Sequence, residues 1–96
     1  MPHYIALVSF TDQGIRDVKN SVKRLDTVEK IAAKHKIHVR DIHWTMGKYD
    51  LIVTFEASDD AAMSAFTLEN AHLGNVRTET FRAYTREEFA NIIKAI

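Results

Sequence analysis

The stretch Asp41-Ile42-His43-Trp44-Thr45-Met46-Gly47-Lys48-Tyr49-Asp50-Leu51-Ile52-Val53-Thr54-Phe55-Glu56 reads as two strands around a glycine turn, and it decides the fold. With Gly47 and Lys48 at the centre of a two-residue hairpin, Gly47 supplies the positive φ that a type II′ turn needs at its first central position. Trp44 then stands opposite Leu51, Ile42 opposite Val53 and Arg40 opposite Phe55, on one largely apolar face. The other face pairs Thr45 with Asp50, His43 with Ile52, Asp41 with Thr54 and Val39 with Glu56. Such a half-polar, half-apolar surface is unusual for a sheet that simply meets water, and it is the first pointer to function.

Upstream, His3 to Phe10 is a short apolar and β-branched run, the pattern of a strand buried on both sides, and Thr11-Asp12-Gln13-Gly14 has turn and helix-cap composition. From Ile15, Val18, Val22, Leu25, Val28 and Ala32 recur at three- and four-residue steps, which predicts one long amphipathic helix. Arg16, Lys19, Lys23, Lys30 and Lys34 between them read as its solvated face. Downstream, Ser58-Asp59-Asp60 caps a second helix bearing Ala61, Ala62, Ala65, Phe66, Leu68 and Leu73, which Gly74-Asn75 ends. Val76 to Tyr84 is a Thr- and aromatic-rich strand. Thr85-Arg86-Glu87-Glu88 fits a capping box before a terminal helix with Phe89, Ile92, Ile93 and Ile96 on its apolar side.

Ninety-six residues at 46% hydrophobic content suit one domain spanning residues 1–96. No apolar run approaches the length of a membrane span, and Met1-Pro2-His3-Tyr4 lacks a basic leader, so the expected setting is the cytoplasm. The absence of cysteine excludes disulfides, thiol catalysis and thiolate metal sites. Thirteen basic and thirteen acidic residues cancel, so no global field draws the chain to nucleic acid or anionic membrane, and neither is an expected partner.

The order strand, helix, strand, strand, helix, strand, plus a last helix, leads to an α+β, ferredoxin-like βαββαβ fold. Its four-stranded antiparallel sheet has the first and third strands central and carries both long helices on one face. If Ile5 and Leu7 point to the helices with Leu51, Val53 and Phe55, then Tyr4, Ala6, Val8 and Phe10 join His43, Ile52, Thr54 and Glu56 on the open side. That face is too apolar for water. Burying it against a second copy gives a homodimer whose two sheets form an α/β barrel.

Four ordered segments resemble one known family: Gly47-Lys48-Tyr49-Asp50, Phe10-Thr11-Asp12-Gln13-Gly14-Ile15-Arg16, Glu56-Ala57-Ser58-Asp59-Asp60 and Gly74-Asn75-Val76-Arg77-Thr78-Glu79-Thr80. Together, over about Met1 to Phe89, they look like the GYD-domain family of small bacterial and archaeal proteins, similar to the dimeric α/β-barrel superfamily. The family pattern more often has an aromatic residue where His43 stands and a proline where Ser58 stands. The resemblance implies the fold and dimerisation; it implies no settled activity and carries no catalytic residue to this chain.

The candidate ligand-binding residues are Tyr4, His43, Thr54, Glu56 and Arg82. Glu56 is a carboxylate on the face expected to be covered, so it needs a partner there. Arg82 reaches it if the last strand shows Thr78, Thr80 and Arg82 on that side, whereas the opposite parity offers Arg77 and Glu79. An ion pair fixing dimer register competes with a general base or ligand anchor as the role of Glu56. His43 beside Asp41 and Thr54 has the makings of a proton-transfer pair or of edge-strand solvation. His35 and His38 straddle a helix end and His38 and His43 point to opposite faces, so no metal site is expected, and no cofactor. Trp44 facing Leu51 reads as core, and Asp50 as an acceptor for turn amides.

Two functions compete: a dimeric small-molecule-binding module for ligand sensing or assembly, and a cofactor-free oxygenase- or isomerase-like enzyme of the dimeric α/β-barrel type. RNA binding shares the topology, but no Gly-rich aromatic RNP-like strand is present.

Overall fold

Every residue from Met1 to Ile96 is described by the computed structural model. Strands β1 (His3–Phe10), β2 (His38–Trp44), β3 (Leu51–Glu56) and β4 (Val76–Ala83) form one antiparallel sheet in the order β2-β3-β1-β4. Helices α1 (Asp12–Arg16) and α2 (Ser21–Lys34) join β1 to β2, α3 (Asp60–His72) joins β3 to β4, and α4 (Arg86–Ile93) follows. Ile31 and Ala32 of α2 and Met63 and Phe66 of α3 share one buried cluster with Tyr4, Ala6, Val8, Val53 and Phe55. The fold is therefore α+β and ferredoxin-like, with β1 and β3 central and both longer helices on one face.

The hairpin keeps the expected register for Trp44 with Leu51, His43 with Ile52, Ile42 with Val53 and Asp41 with Thr54. Beyond Asp41 it departs: an irregularity between Val39 and Asp41 sets Val39 against Phe55 and His38 against Glu56, in place of Arg40 against Phe55 and Val39 against Glu56. The physical reason is charge. Regular pairing would press Arg40 into the core beside buried Phe55, whereas the bulge turns it out to Glu56 at 2.7 Å and lets Val39 pack on the core.

The turn is also looser than a two-residue type II′ hairpin. Gly47 has the expected positive φ of 107°, but the loop closes through Thr45 N–H to Asp50 O at 2.8 Å and Thr45 Oγ1 to Tyr49 O at 2.7 Å.

The parity expected for β1 is reversed. Tyr4, Ala6 and Val8 pair with Phe55, Val53 and Leu51 and face the helices, while Ile5 and Leu7 pair with Thr54 and Ile52 and face away. Both alternating sets are apolar, so alternation does not choose between them. The choice is made by hydrogen bonds at the strand ends: Asp50 N–H to Val8 O and Asp50 Oδ2 from Phe10 N–H, both at 2.8 Å, and Ala57 N–H to Pro2 O at 3.0 Å.

The single helix expected from Ile15 is divided at Asp17, whose backbone lies at φ −107°, ψ 29°, with a 3₁₀ turn at Val18–Asn20 before α2. The Asp17 carboxylate accepts from Asn20 Nδ2 at 2.6 Å and Arg24 Nη1 at 3.1 Å, a local alternative to helical bonding. Next to it, Thr11 Oγ1 caps α1 by accepting from Gly14 N–H, and Thr11 N–H donates to Asn75 O at 3.1 Å. Two of the four family-like segments thus lie against each other.

Gly14 is where they touch: a Cβ there would lie 2.0 Å from Asn75 O. Gly14→Ala is expected to cost about 3 kcal/mol, the upper range for overpacking a fixed contact, read from urea unfolding; unchanged stability would show that the contact opens freely.

Candidate functional site

The β1·β4 register decides where the candidates fall. Tyr4 pairs with Arg82, Ala6 with Thr80 and Val8 with Thr78, so these β4 side chains share the helix side, while Arg77, Glu79 and Phe81 lie on the open face. Of the five candidates, His43, Thr54 and Glu56 therefore stand on the open face, and Tyr4 and Arg82 on the other. They do not all form one site: Tyr4, Thr54 and Glu56 line one shallow depression with His3, Arg40, Asp41 and Tyr84, Tyr4 and Arg82 line a second cleft, His43 lines neither, and Glu56 does not meet Arg82.

Glu56 is instead held by Arg40 Nη2 at 2.7 Å and His3 Nε2 at 2.9 Å. The Arg40 hydrogen bond, aided by His3 and opposed by desolvation, holds its carboxyl below the ordinary 4.5. On its far side, His3 Nδ1 lies 3.4 Å from Glu88 Oε1 of α4 without a hydrogen bond. The row Arg40, Glu56, His3, Glu88 ties β2, β3, β1 and α4 together at one end of the sheet. Thr54 Oγ1 bridges Asp41, accepting from its N–H at 3.1 Å and donating to its Oδ2 at 3.2 Å. His43 is exposed beside Ile52 and engages neither Asp41 nor Thr54. No group of three or more His, Asp or Glu side chains converges to ligate a metal.

The helix side holds the other pair. Tyr4 lies in the core, yet its hydroxyl donates to Asp60 Oδ1 at 2.5 Å, at the start of α3. Burial first, then this hydrogen bond, push the phenol up to about 12, so it stays a neutral donor at physiological pH. The Arg82 guanidinium lies 5.6 Å from the Tyr4 ring and 4.6 Å from the Tyr84 ring. Its Nη1 donates to His3 O at 3.2 Å and to Ala83 O.

Tyr4, Asp60 and Arg82 line a cleft between α3 and β4 with Ser64, Thr67 and Leu68. Met63, Thr67 and Thr80 are shared with an apolar chamber of about 80 Å³ that runs inward between the sheet and helices α2 and α3, past Val8, Val53 and Phe55. Trp44 forms part of its wall and is fixed by Nε1–H donating to Ser21 Oγ of α2 at 3.0 Å.

Sequence reasoning missed His3, Arg40 and Asp60. For Asp60 a signal existed: Asp59 alone caps α3, through Ala62 N–H at 2.8 Å, so the second acid of Ser58-Asp59-Asp60 is free for other work. For Arg40 the signal was its unfavourable place beneath Phe55. For His3, the strand end gives no pattern to read.

A ferredoxin-like domain with an apolar chamber beneath its helices and one uncovered sheet face is the class these features define. The GYD domain family model matches residues 4–93, nearly the whole chain. The chain belongs to the GYD domain family. No curated protein matches it.

Two titrations check the site. Of the three tyrosines, one is expected to ionise only near pH 12, and Tyr4→Phe should remove that step from the ultraviolet titration; three equivalent tyrosines would contradict the buried Tyr4–Asp60 bond. Because the folded-state value of Glu56 is lowered, its contribution is present above the ordinary 4.5 and is lost as pH falls through the lowered value. Thermal melts from pH 6 downward should therefore show a shallower acid decline in Glu56→Gln than in the parent, and parallel declines would contradict the Arg40–Glu56–His3 arrangement.

Proposed function

We propose that this GYD-domain protein is a small-molecule-binding module that acts as a homodimer in the cytoplasm. The observation that carries the reading is that its two unfilled surfaces lie on opposite sides of one sheet. On the helix side, the chamber shares Met63, Thr67 and Thr80 with the cleft beside Tyr4 and Arg82. On the other side, Ile5, Leu7, Ile52 and Phe81 make an apolar stripe, with Phe81 49% and Ile52 36% exposed. An isologous dimer needs only one self-complementary patch, and joining two such stripes leaves both chambers accessible. On this reading Glu56 and Thr54 are register-setting groups at the edge of the dimer, and Tyr4 and Arg82 belong to the ligand site.

A second reading, a cofactor-free oxygenase- or isomerase-like enzyme, draws on the Tyr4–Asp60 bond at the cleft, with the Asp60 carboxylate, oriented by the Tyr4 hydroxyl, as its candidate proton acceptor.

Sedimentation equilibrium tests the assembly. The parent is expected to be dimeric at micromolar concentration, and Phe81→Glu to weaken the dimer by about a hundredfold, the scale of a lost interface hot spot, while keeping its circular dichroism. A monomeric parent, or an unaffected variant, would overturn the proposed face.

A further inference from the structure

We infer that the chamber's ligand is a neutral, mainly apolar molecule with one carbonyl-type acceptor, seated with that acceptor at Arg82. The inference rests on the ligand-binding reading above and specifies the chemistry of that site.

The head follows from which donors are free. Arg82 Nη1 is occupied by the carbonyls of His3 and Ala83, but Nε and Nη2 make no hydrogen bond, and the nearest carboxylate, Glu88 Oε2, is 3.9 Å from Nη2. Contacts to the Tyr4 and Tyr84 rings and the two carbonyls restrain the guanidinium, so its open donors are preorganised at the cleft that Arg82 lines. Tyr4 adds no free proton, since its hydroxyl is committed to Asp60. Thr67 Oγ1 is committed likewise, donating to Met63 O at 2.9 Å.

Charge then selects among acceptors. The carboxylate of Asp60 lines the cleft together with Arg82, and that of Glu88 stands 3.9 Å from Arg82 Nη2. A bound anion would meet these acids, and a bound cation would meet the guanidinium itself. A neutral carbonyl takes the free donors and meets neither repulsion.

The body follows from the walls. The chamber is lined mostly by aliphatic and aromatic side chains. Its volume of about 80 Å³ is roughly half that of an apolar cavity of about 150 Å³ that admits benzene. A short unbranched chain fits such a space better than a ring. In the cleft, Leu68 stands 70% exposed, an apolar contact for the part of the ligand that remains outside the chamber.

The test is a titration of the ¹⁵N-labelled full chain at pH 7 with three chain-matched probes, 2-hexanone, hexanoate and hexylamine, followed by two-dimensional NMR. The expected result is saturable shifts at Thr67, Leu68 and Thr80 with 2-hexanone, at least fivefold tighter than with either charged probe. Arg82→Gln should weaken 2-hexanone about ten- to a hundredfold, the worth of a hydrogen bond to a charged group. Arg82→Lys, which keeps the charge but loses the planar fork, should recover only part of that loss; it also serves if the glutamine variant loses its native spectrum. Equal binding of all three probes, tighter binding of hexanoate or hexylamine, or indifference to both Arg82 substitutions would overturn the inference while leaving the chamber as a ligand site. No shift at these amides with any probe would remove the chamber reading itself, and this inference with it.

Discussion

Asp50 grips β1 twice, with its N–H on Val8 O and its carboxylate on Phe10 N–H, each at 2.8 Å. These bonds fix where the β1·β3 ladder ends, and so which alternate side chains of β1 look toward the helices. A slip of one residue would send Ile5 and Leu7 inward and expel Tyr4, Ala6 and Val8. Tyr4 would then lose Asp60, Arg82 would lose the Tyr4 ring, and the cleft between α3 and β4 would lose its polar lining. The conspicuous glycine, tyrosine and aspartate of Gly47-Lys48-Tyr49-Asp50 thus serve geometry: Gly47 turns the chain, Tyr49 bonds Glu79 of β4 at 3.1 Å, and Asp50 sets β1.

With β1 so placed, the sheet separates two tasks. Its helix side combines packing with an incompletely filled interior, and its other side carries an apolar stripe that nothing in the chain covers. The terminal helix adds to that uncovered surface. α4 is well started by its capping box, but Phe89 and Ile93 remain 52% exposed. Its tie to the body runs through Glu88, placed near both His3 and Arg82. The chain is accordingly extended, 48 × 30 × 17 Å with a radius of gyration of 14.3 Å, against about 12.5 Å for a compact domain of this length. A free helix of two turns is marginal in water, so α4 depends on its capping box and on these contacts of Glu88.

Much of the architecture was legible in the sequence because periodicity, caps and turn residues agree. Trp44 opposite Leu51 and the Thr85–Glu88 capping box needed only local chemistry. The errors arose where two local patterns scored alike or where a long-range bond decided. β1 is apolar on both faces, so His3-Tyr4-Ile5-Ala6-Leu7-Val8 carries no internal record of its parity. The expected helix broke because Asp17 and Arg24 bond each other across the break. Arg40 left the core through a bulge that regular pairing does not anticipate. The site suffered most: with β1 reversed and β4 following it, Tyr4 and Arg82 moved to the opposite side from Glu56. Asp60, Tyr4's partner, lies 56 residues away in sequence, beyond the reach of spacing.

The orientation of β1 is therefore the point on which the account stands, and nuclear Overhauser contacts from its side chains measure it directly. Cross-peaks are expected from the Tyr4 ring to the Met63 methyl group of α3 and from Ile5 to the Phe81 ring on the open face. Cross-peaks from Ile5 or Leu7 to Met63 and Phe66, with none from Tyr4, would contradict this orientation.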